Sequence, residues 1–311
     1  SATASNFAPK KPSIIAIEVG PDNGFVKIGV PANLAGILAA TGVTEPFSIQ
    51  SVTLPDSLAG RDVLGQGRTG SGKTLAFALP LIARLAATKV GRQANRPRAL
   101  ILVPTRELAT QVAAVIDPLA TACGLRVITV FGGVGHGPQR DGLRAGAEIV
   151  VACPGRLVDH MGEGDAKLDR IEITIIDEAD HMADQGFLPM VKRILDATPK
   201  VGQRMLFSAT LDGDVDNLIR EFQRDPKKHQ VAAAEMVARS STCSGMSTAT
   251  SALVWFPKSL IITNAPSCSV APSMVPIVWL ATSSHWALRH VLSTAIAARL
   301  NASARSNNER T

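Results

Sequence analysis

Asp62-Val63-Leu64-Gly65-Gln66-Gly67-Arg68-Thr69-Gly70-Ser71-Gly72-Lys73-Thr74-Leu75-Ala76-Phe77 is the stretch on which the rest of the sequence turns. Asp62–Leu64 is a short β-rich run that predicts a strand, and Lys73–Thr88 has the apolar spacing of a helix. Between them, Gly67–Thr74 fits the pattern G-x-x-x-x-G-K-[ST]. Its glycines let backbone N–H groups turn inward around phosphate oxygens, at a helix N-terminus that favours anions. In that arrangement Lys73 reaches the β- and γ-phosphates and the Thr74 hydroxyl binds Mg2+. The plain alternative is an ordinary glycine turn, which the strand–loop–helix setting disfavours.

Outward from this loop, from about Ala32 to Pro226, short β-rich runs alternate with longer helical stretches. Strands are expected at Asp62–Leu64, Ala99–Val103, Val127–Phe131, Glu148–Ala152, Ile173–Ile176 and Arg204–Phe207. Helices are expected at Lys73–Thr88, Glu107–Ala122, Arg156–Met161, Leu188–Ala197 and Val215–Phe222. Such alternation predicts an α/β fold, a parallel sheet with helices on both faces. Ligands of such sheets bind beyond the carboxyl ends of the strands. Asp177-Glu178-Ala179-Asp180 sits at one such end, after the run Ile173–Ile176. An acid there can hold Mg2+ while its neighbour positions an attacking water. Two acids opening a helix also serve as caps, and alone that would be the better reading. A phosphate loop earlier in the same alternating domain favours catalysis.

Composition narrows the class. The chain has 311 residues, enough for a large buried core, and a net charge of +6 with 19% charged residues, which excludes a strongly charged disordered protein. Residues 241–311 hold one acid against five bases, so the basicity is largely a property of the tail and is weak support for a nucleic-acid face. Four scattered cysteines form neither a disulfide framework nor a Cys-x-x-Cys metal pair, which fits a reducing interior. No run is long and apolar enough for a spanning helix, since Pro266, Pro272 and Pro276 break the best candidate, Ser259–Leu288. No secretory pattern opens the chain. A soluble cytoplasmic protein is expected, with no membrane partner; the oligomeric state is open.

Taken together, the ordered motifs resemble those of the DEAD-box RNA helicases, ATP-dependent enzymes with two RecA-like domains. Gly42-Val43-Thr44-Glu45-Pro46-Phe47-Ser48-Ile49-Gln50 resembles the Q motif, with Val43 and Phe47 departing from the usual Phe and Thr, and Phe25 the upstream aromatic. Gly67–Thr74 matches motif I, Pro104–Ala109 motif Ia, Gly132-Gly133 the GG element, and Pro154-Gly155-Arg156 motif Ib behind Cys153 in place of threonine. Asp177–Asp180 matches motif II and Ser208-Ala209-Thr210 motif III. The resemblance covers roughly residues 25–230. It implies ATP and Mg2+ as ligands and RNA as partner. ATP would meet Phe25, Gln50, Arg68, Thr69, Gly70, Ser71, Gly72, Lys73 and Thr74, with Gln50 bonding the adenine edge and Phe25 stacking on the base, although chemistry alone favours a plain core aromatic at Phe25 equally. Asp177 and Thr74 would hold Mg2+, Glu178 would orient or deprotonate water, and Lys73 would complete the catalytic set. Thr105, Arg106, Gly132, Gly133 and Arg156 would contact the RNA sugar-phosphate, and Ser208 and Thr210 would couple the two sites.

The resemblance divides the chain into an N-terminal extension (1–24), a RecA-like ATP-binding domain (25–234) and a non-homologous tail (235–311). The tail carries none of the motifs of a second RecA-like domain. Ser293–Ser303 can be encoded by codons that, in a shifted frame, spell His-Gly-Asn-Arg-Ser-Gln-Ala-Gln-Arg-Glu, resembling a second-domain segment of the family. The expectation is a disordered, frameshifted tail; the competing one is a divergent extension with Leu288–Leu300 as a basic amphipathic helix. The functional expectation is an ATP-dependent RNA helicase impaired by loss of its second domain, and the alternative is a non-catalytic nucleotide- or RNA-binding module.

Overall fold

A computed structural model describes residues 16–231 apart from Thr69, Lys89 and Asp212. The expected phosphate contact of Thr69 and every expectation for 235–311 therefore lie outside the described residues, as does most of the proposed extension 1–24.

Seven strands form one sheet: β1 (Val63–Gln66), β2 (Ala99–Leu102), β3 (Val127–Val130), β4 (Ile149–Ala152), β5 (Ile173–Asp177), β6 (Gln203–Ser208) and β7 (Lys227–Gln230). Their order is β3-β4-β2-β5-β6-β1-β7, and every neighbouring pair is parallel. The connections supply α1 (Gly24–Lys27), α2 (Ala32–Ala40), α3 (Ser48–Leu58), α4 (Lys73–Ala87), α5 (Arg106–Ala122), α6 (His136–Arg144), α7 (Pro154–Gly162), α8 (Ala179–Asp184), α9 (Leu188–Asp196) and α10 (Asp214–Phe222).

Period-two alternation sorts the strand side chains into two cores. Ala99, Ile101 and Val103 join one cluster with Phe25, Leu54, Phe77 and Ile116, while Leu100 and Leu102 join the other with Leu157, Val191, Ile194 and Leu218. Both faces of the sheet are thus covered, which is why its central strands read as continuous apolar runs. Gly65 in β1 has a steric role: a Cβ there would lie 2.5 Å from the Phe207 ring. That ring also tilts against Phe77, with centroids 5.5 Å apart.

All six expected strands form, with ends shifted by one or two residues. β7 was not expected, because Lys227-Lys228-His229-Gln230 is polar throughout; it forms by pairing with β1. Nor were α1, α2, α3, α6 and α8. In α2, Ala32-Asn33-Leu34-Ala35-Gly36-Ile37-Leu38-Ala39-Ala40 is apolar almost all round and shows no helical stripe. Among the described residues, no helix is long and apolar enough to cross a membrane.

Candidate functional site

Parallel strands put all their carboxyl ends on one edge of the sheet, and the motifs gather along it. β1, β5 and β6 are adjacent. β1 leads into Gly67–Thr74, β5 into the acidic motif, and β6 ends at Ser208. The loop turns through Gly70 and Gly72, with φ of 85° and 88°, conformations that side chains rarely adopt. Gly72 is the N-cap of α4, so the free N–H groups of that helix begin at Lys73. Ser71 Oγ is buried without a hydrogen-bond partner, the kind of orphaned group that a bound ligand satisfies.

Lys73 Nζ lies 3.8 Å from Asp177 Oδ1, and both side chains are buried. Burial pushes the Asp177 carboxyl up to about 6, against the pull of the Lys73 ammonium, and nearby Glu178 pushes the same way. Asp177 also accepts the Glu178 N–H at 3.0 Å. Glu178 itself is left-handed, φ 54° and ψ 51°, which costs about 1–3 kcal/mol and is characteristic of functional sites. A second oxygen of this residue, Oε2, is 3.4 Å from His181 Nδ1. Mg2+ prefers oxygen donors, so the buried Asp177 carboxylate and the hydroxyl of half-buried Thr74, which follows Lys73 in α4, fit that ion.

Asp180, given no separate role in the sequence reading, is the link between the acidic motif and Ser208-Ala209-Thr210. Its N–H donates to Ser208 Oγ at 3.2 Å, and its Oδ2 accepts the N–H groups of Ala209 and Thr210, both at 3.1 Å. Burial pushes the Asp180 carboxyl up, but these hydrogen bonds outweigh it and hold it below the usual value. Ser208 also ties into the phosphate loop, since its carbonyl accepts the Gly67 N–H at 3.1 Å. Asp180 thus joins the acidic motif to Ser208-Ala209-Thr210, and the Ser208 backbone carries the connection on to the phosphate loop. The signal of Asp180 in the sequence was only the three-residue spacing from Asp177.

Gln50 is brought to the loop as expected, but its amide is engaged there. Its Nε2 donates to the Gly72 carbonyl at 2.8 Å and its Oε1 accepts the Phe47 N–H at 2.9 Å, capping α3. Phe25, expected to stack on a base, is instead 0% exposed and packs in the core, so no face of its ring is open in this structure. The aromatic at the loop is Phe47, 52% exposed, whose ring stands where a Gly72 Cβ would be. Arg68 follows Gly67 in the exposed part of the loop.

The other expected residues gather beyond β2, β3 and β4, beside one another in the sheet. Thr105 caps α5, accepting the Leu108 N–H at 3.2 Å. Exposed Arg106 pairs with Glu107 at 2.7 Å, and its guanidinium lies alongside Gly133, which has φ of 82°. Arg156, only 12% exposed at its side chain, donates to the Val134 carbonyl at 2.8 Å and so shapes the loop holding Gly132 and Gly133. Cys153 opens α7, and burial pushes its thiol up to about 11.

Residues 47–218 match the family model described as DEAD/DEAH box helicase. The chain is 39% identical over 221 residues to "DEAD-box ATP-dependent RNA helicase 30" of Arabidopsis thaliana, covering 71% of this chain and 37% of that protein. It is 38% identical to "ATP-dependent RNA helicase DBP2" of Mycosarcoma maydis over 218 residues, 70% of this chain and 40% of the relative. Among solved structures, a DEAD box protein from Methanococcus jannaschii superposes with a TM-score of 0.61 at 35% identity, over 67% of this chain and 56% of the other. The chain therefore spans about two fifths of the length of the curated relatives it matches. The sheet described above is the RecA-like fold of those neighbours.

Proposed function

The chain belongs to the DEAD/DEAH box helicase family, and from that premise we propose that residues 25–234 form an ATP-binding domain that hydrolyses ATP in a reaction coupled to RNA binding. The observation that carries this reading is the buried Lys73–Asp177 pair at the mouth of a glycine loop, joined to the Ser208 motif through Asp180.

In the proposed mechanism the backbone of Gly67–Thr74 cradles the phosphates, and Lys73 leaves Asp177 to meet the β- and γ-oxygens. Thr74 and Asp177 would hold Mg2+, which when bound neutralises charge developing on those oxygens. Glu178 orients the attacking water and takes its proton, steadied by His181. Gln50 presents its amide to the adenine edge after giving up the Gly72 carbonyl. Asp180 transmits the state of the phosphate loop to Ala209 and Thr210. Thr105, Arg106, Gly132, Gly133 and Arg156 make the RNA-facing loops, with backbone amides and guanidinium groups suited to phosphate oxygens.

ATPase assays with and without single-stranded RNA test the reading, run beside nucleotide-binding measurements. RNA should accelerate turnover in the unaltered chain. Glu178→Gln should retain ATP affinity while losing about 10²–10⁴-fold in rate, the usual worth of a positioned base. Tight ATP binding with no hydrolysis above background, with or without RNA, would leave the non-catalytic nucleotide-binding module as the correct reading.

A further inference from the structure

Away from the nucleotide loop, α6 and α7 bring together His136, His160 and Glu163. One ligand atom from each lies within 4.8 Å of the others. His160 is 0% exposed, and its Nε2 has no hydrogen-bond partner; Nδ1 of His136 is likewise buried and unpartnered. Leaving two imidazole nitrogens unsatisfied costs about 1–3 kcal/mol each unless something else occupies the space between them. The two rings are tilted at 49° to one another with centroids 5.0 Å apart, and Glu163 Oε1 is 3.7 Å from His136 Nδ1.

The surroundings orient these atoms as a metal site would. Asp165 Oδ2 lies 3.4 Å from His160 Nδ1. A proton on Nδ1 shared with that carboxylate leaves the Nε2 lone pair free, the arrangement that usually supports a metal-bound imidazole. Arg140 takes Asp165 at 2.8 Å and Glu163 Oε2 at 3.1 Å, leaving Glu163 Oε1 toward His136. The guanidinium offsets one of the two carboxylates, so one net negative charge remains to attract a cation. Two imidazoles and one carboxylate form a donor set that Zn2+ takes, with a fourth position left for water.

We propose that His136, His160 and Glu163 bind a divalent transition-metal ion, Zn2+ foremost, with Asp165 as the positioning residue for His160. Bonds of about 2.0–2.2 Å in a tetrahedron need ligand atoms about 3.3–3.6 Å apart. Closing from at most 4.8 Å falls to His136 and Glu163, whose side chains are 37% and 45% exposed, while His160 is fully buried and stays fixed. The ion would clamp the first residue of α6 to the end of α7. That loop–helix pair also contains Gly132, Gly133 and Arg156, so the clamp would stiffen the expected RNA-facing loop from behind.

The full chain, stripped with chelator and free of nucleotide, is titrated with Zn2+ by calorimetry and with Co2+ by visible absorption. One saturable site per chain with the intense visible band of tetrahedral Co2+ is expected. His160 is buried and its replacement could unfold the domain, so the test uses His136→Ala and Glu163→Gln, checked for native circular dichroism. Each should weaken binding at least about tenfold, and Asp165→Asn should weaken it without changing the stoichiometry. The proposal falls if the unaltered chain shows no saturable site, or if His136→Ala binds with the same affinity and spectrum.

Discussion

At Asp177 burial and a buried ammonium pull in opposite directions, and burial wins, holding the folded carboxyl near 6 against an ordinary 3.8. The folded state therefore binds the extra proton between those values. The stabilisation this provides is complete below about pH 4 and is lost as pH rises through 6. A carboxylate that coordinates Mg2+ must be ionised, so Mg2+–ATP binding at pH 6, where the Asp177 carboxyl is about half protonated, should release about half a proton per chain. Calorimetry in two buffers of different ionisation enthalpy should show that release at pH 6 and none at pH 8. Equal heats in both buffers at pH 6 would show that Asp177 does not titrate there. Lys73→Ala should abolish nucleotide binding, read by fluorescence titration; unaltered affinity would remove the phosphate-loop assignment. At this scale the residues picked out in the sequence, Lys73, Asp177, Glu178 and Gln50, gather beside one loop. Phe25 lies in the core: an aromatic spaced for base stacking is indistinguishable, in sequence, from one spaced for the core. Phe47, where the family has threonine, cannot offer a side-chain cap to α3, and Gln50 caps it instead.

Elements show where pattern is informative and where it is not. α4 runs through Pro80 without ending, although a proline inside a helix costs about 3 kcal/mol or more in isolation. Nine of its fifteen residues are buried, and that packing holds the helix past the break. Apolar spacing on both sides of Pro80 made the whole span legible. β7 was illegible because its reason to exist is the open edge of β1, which no property of Lys227–Gln230 announces. Gly65 states the opposite case, a β1 position where the absence of a side chain is the structural information. Gly65→Val should drive its methyls into the Phe207 ring and cost about 1–3 kcal/mol, measured by urea unfolding. Adding Phe207→Leu should recover part of the loss. A Gly65→Val chain as stable as the original would show that the ring is free to move aside.

Across the described molecule, both apolar clusters are assembled from residues between Phe25 and Phe222. A chain ending at residue 234 should therefore unfold in one cooperative step and bind ATP within about twofold of the full chain, as read by thermal denaturation and calorimetry. A tenfold loss of affinity would mean that residues 235–311 contribute to the site. The parallel α/β architecture was fully legible, because buried parallel strands announce themselves as apolar runs between helical spacings. The pairing order was not, since which strand lies beside which depends on crossovers that leave no mark in composition.

That order has a cost in time. β1 borders only β6 and β7, with Val63 opposite Met205 on one side and Lys227 on the other. During synthesis from the N-terminus, Val63 and Leu64 must wait for partners about 140–160 residues downstream, which is roughly 7–30 s at about 5–20 residues per second. The phosphate loop, anchored by β1 and by the Ser208 carbonyl, can take its final shape only near the end of that interval. For a nascent chain, the element most needed for function is the last to be secured, and the apolar strand beside it is what a ribosome-associated chaperone would find exposed.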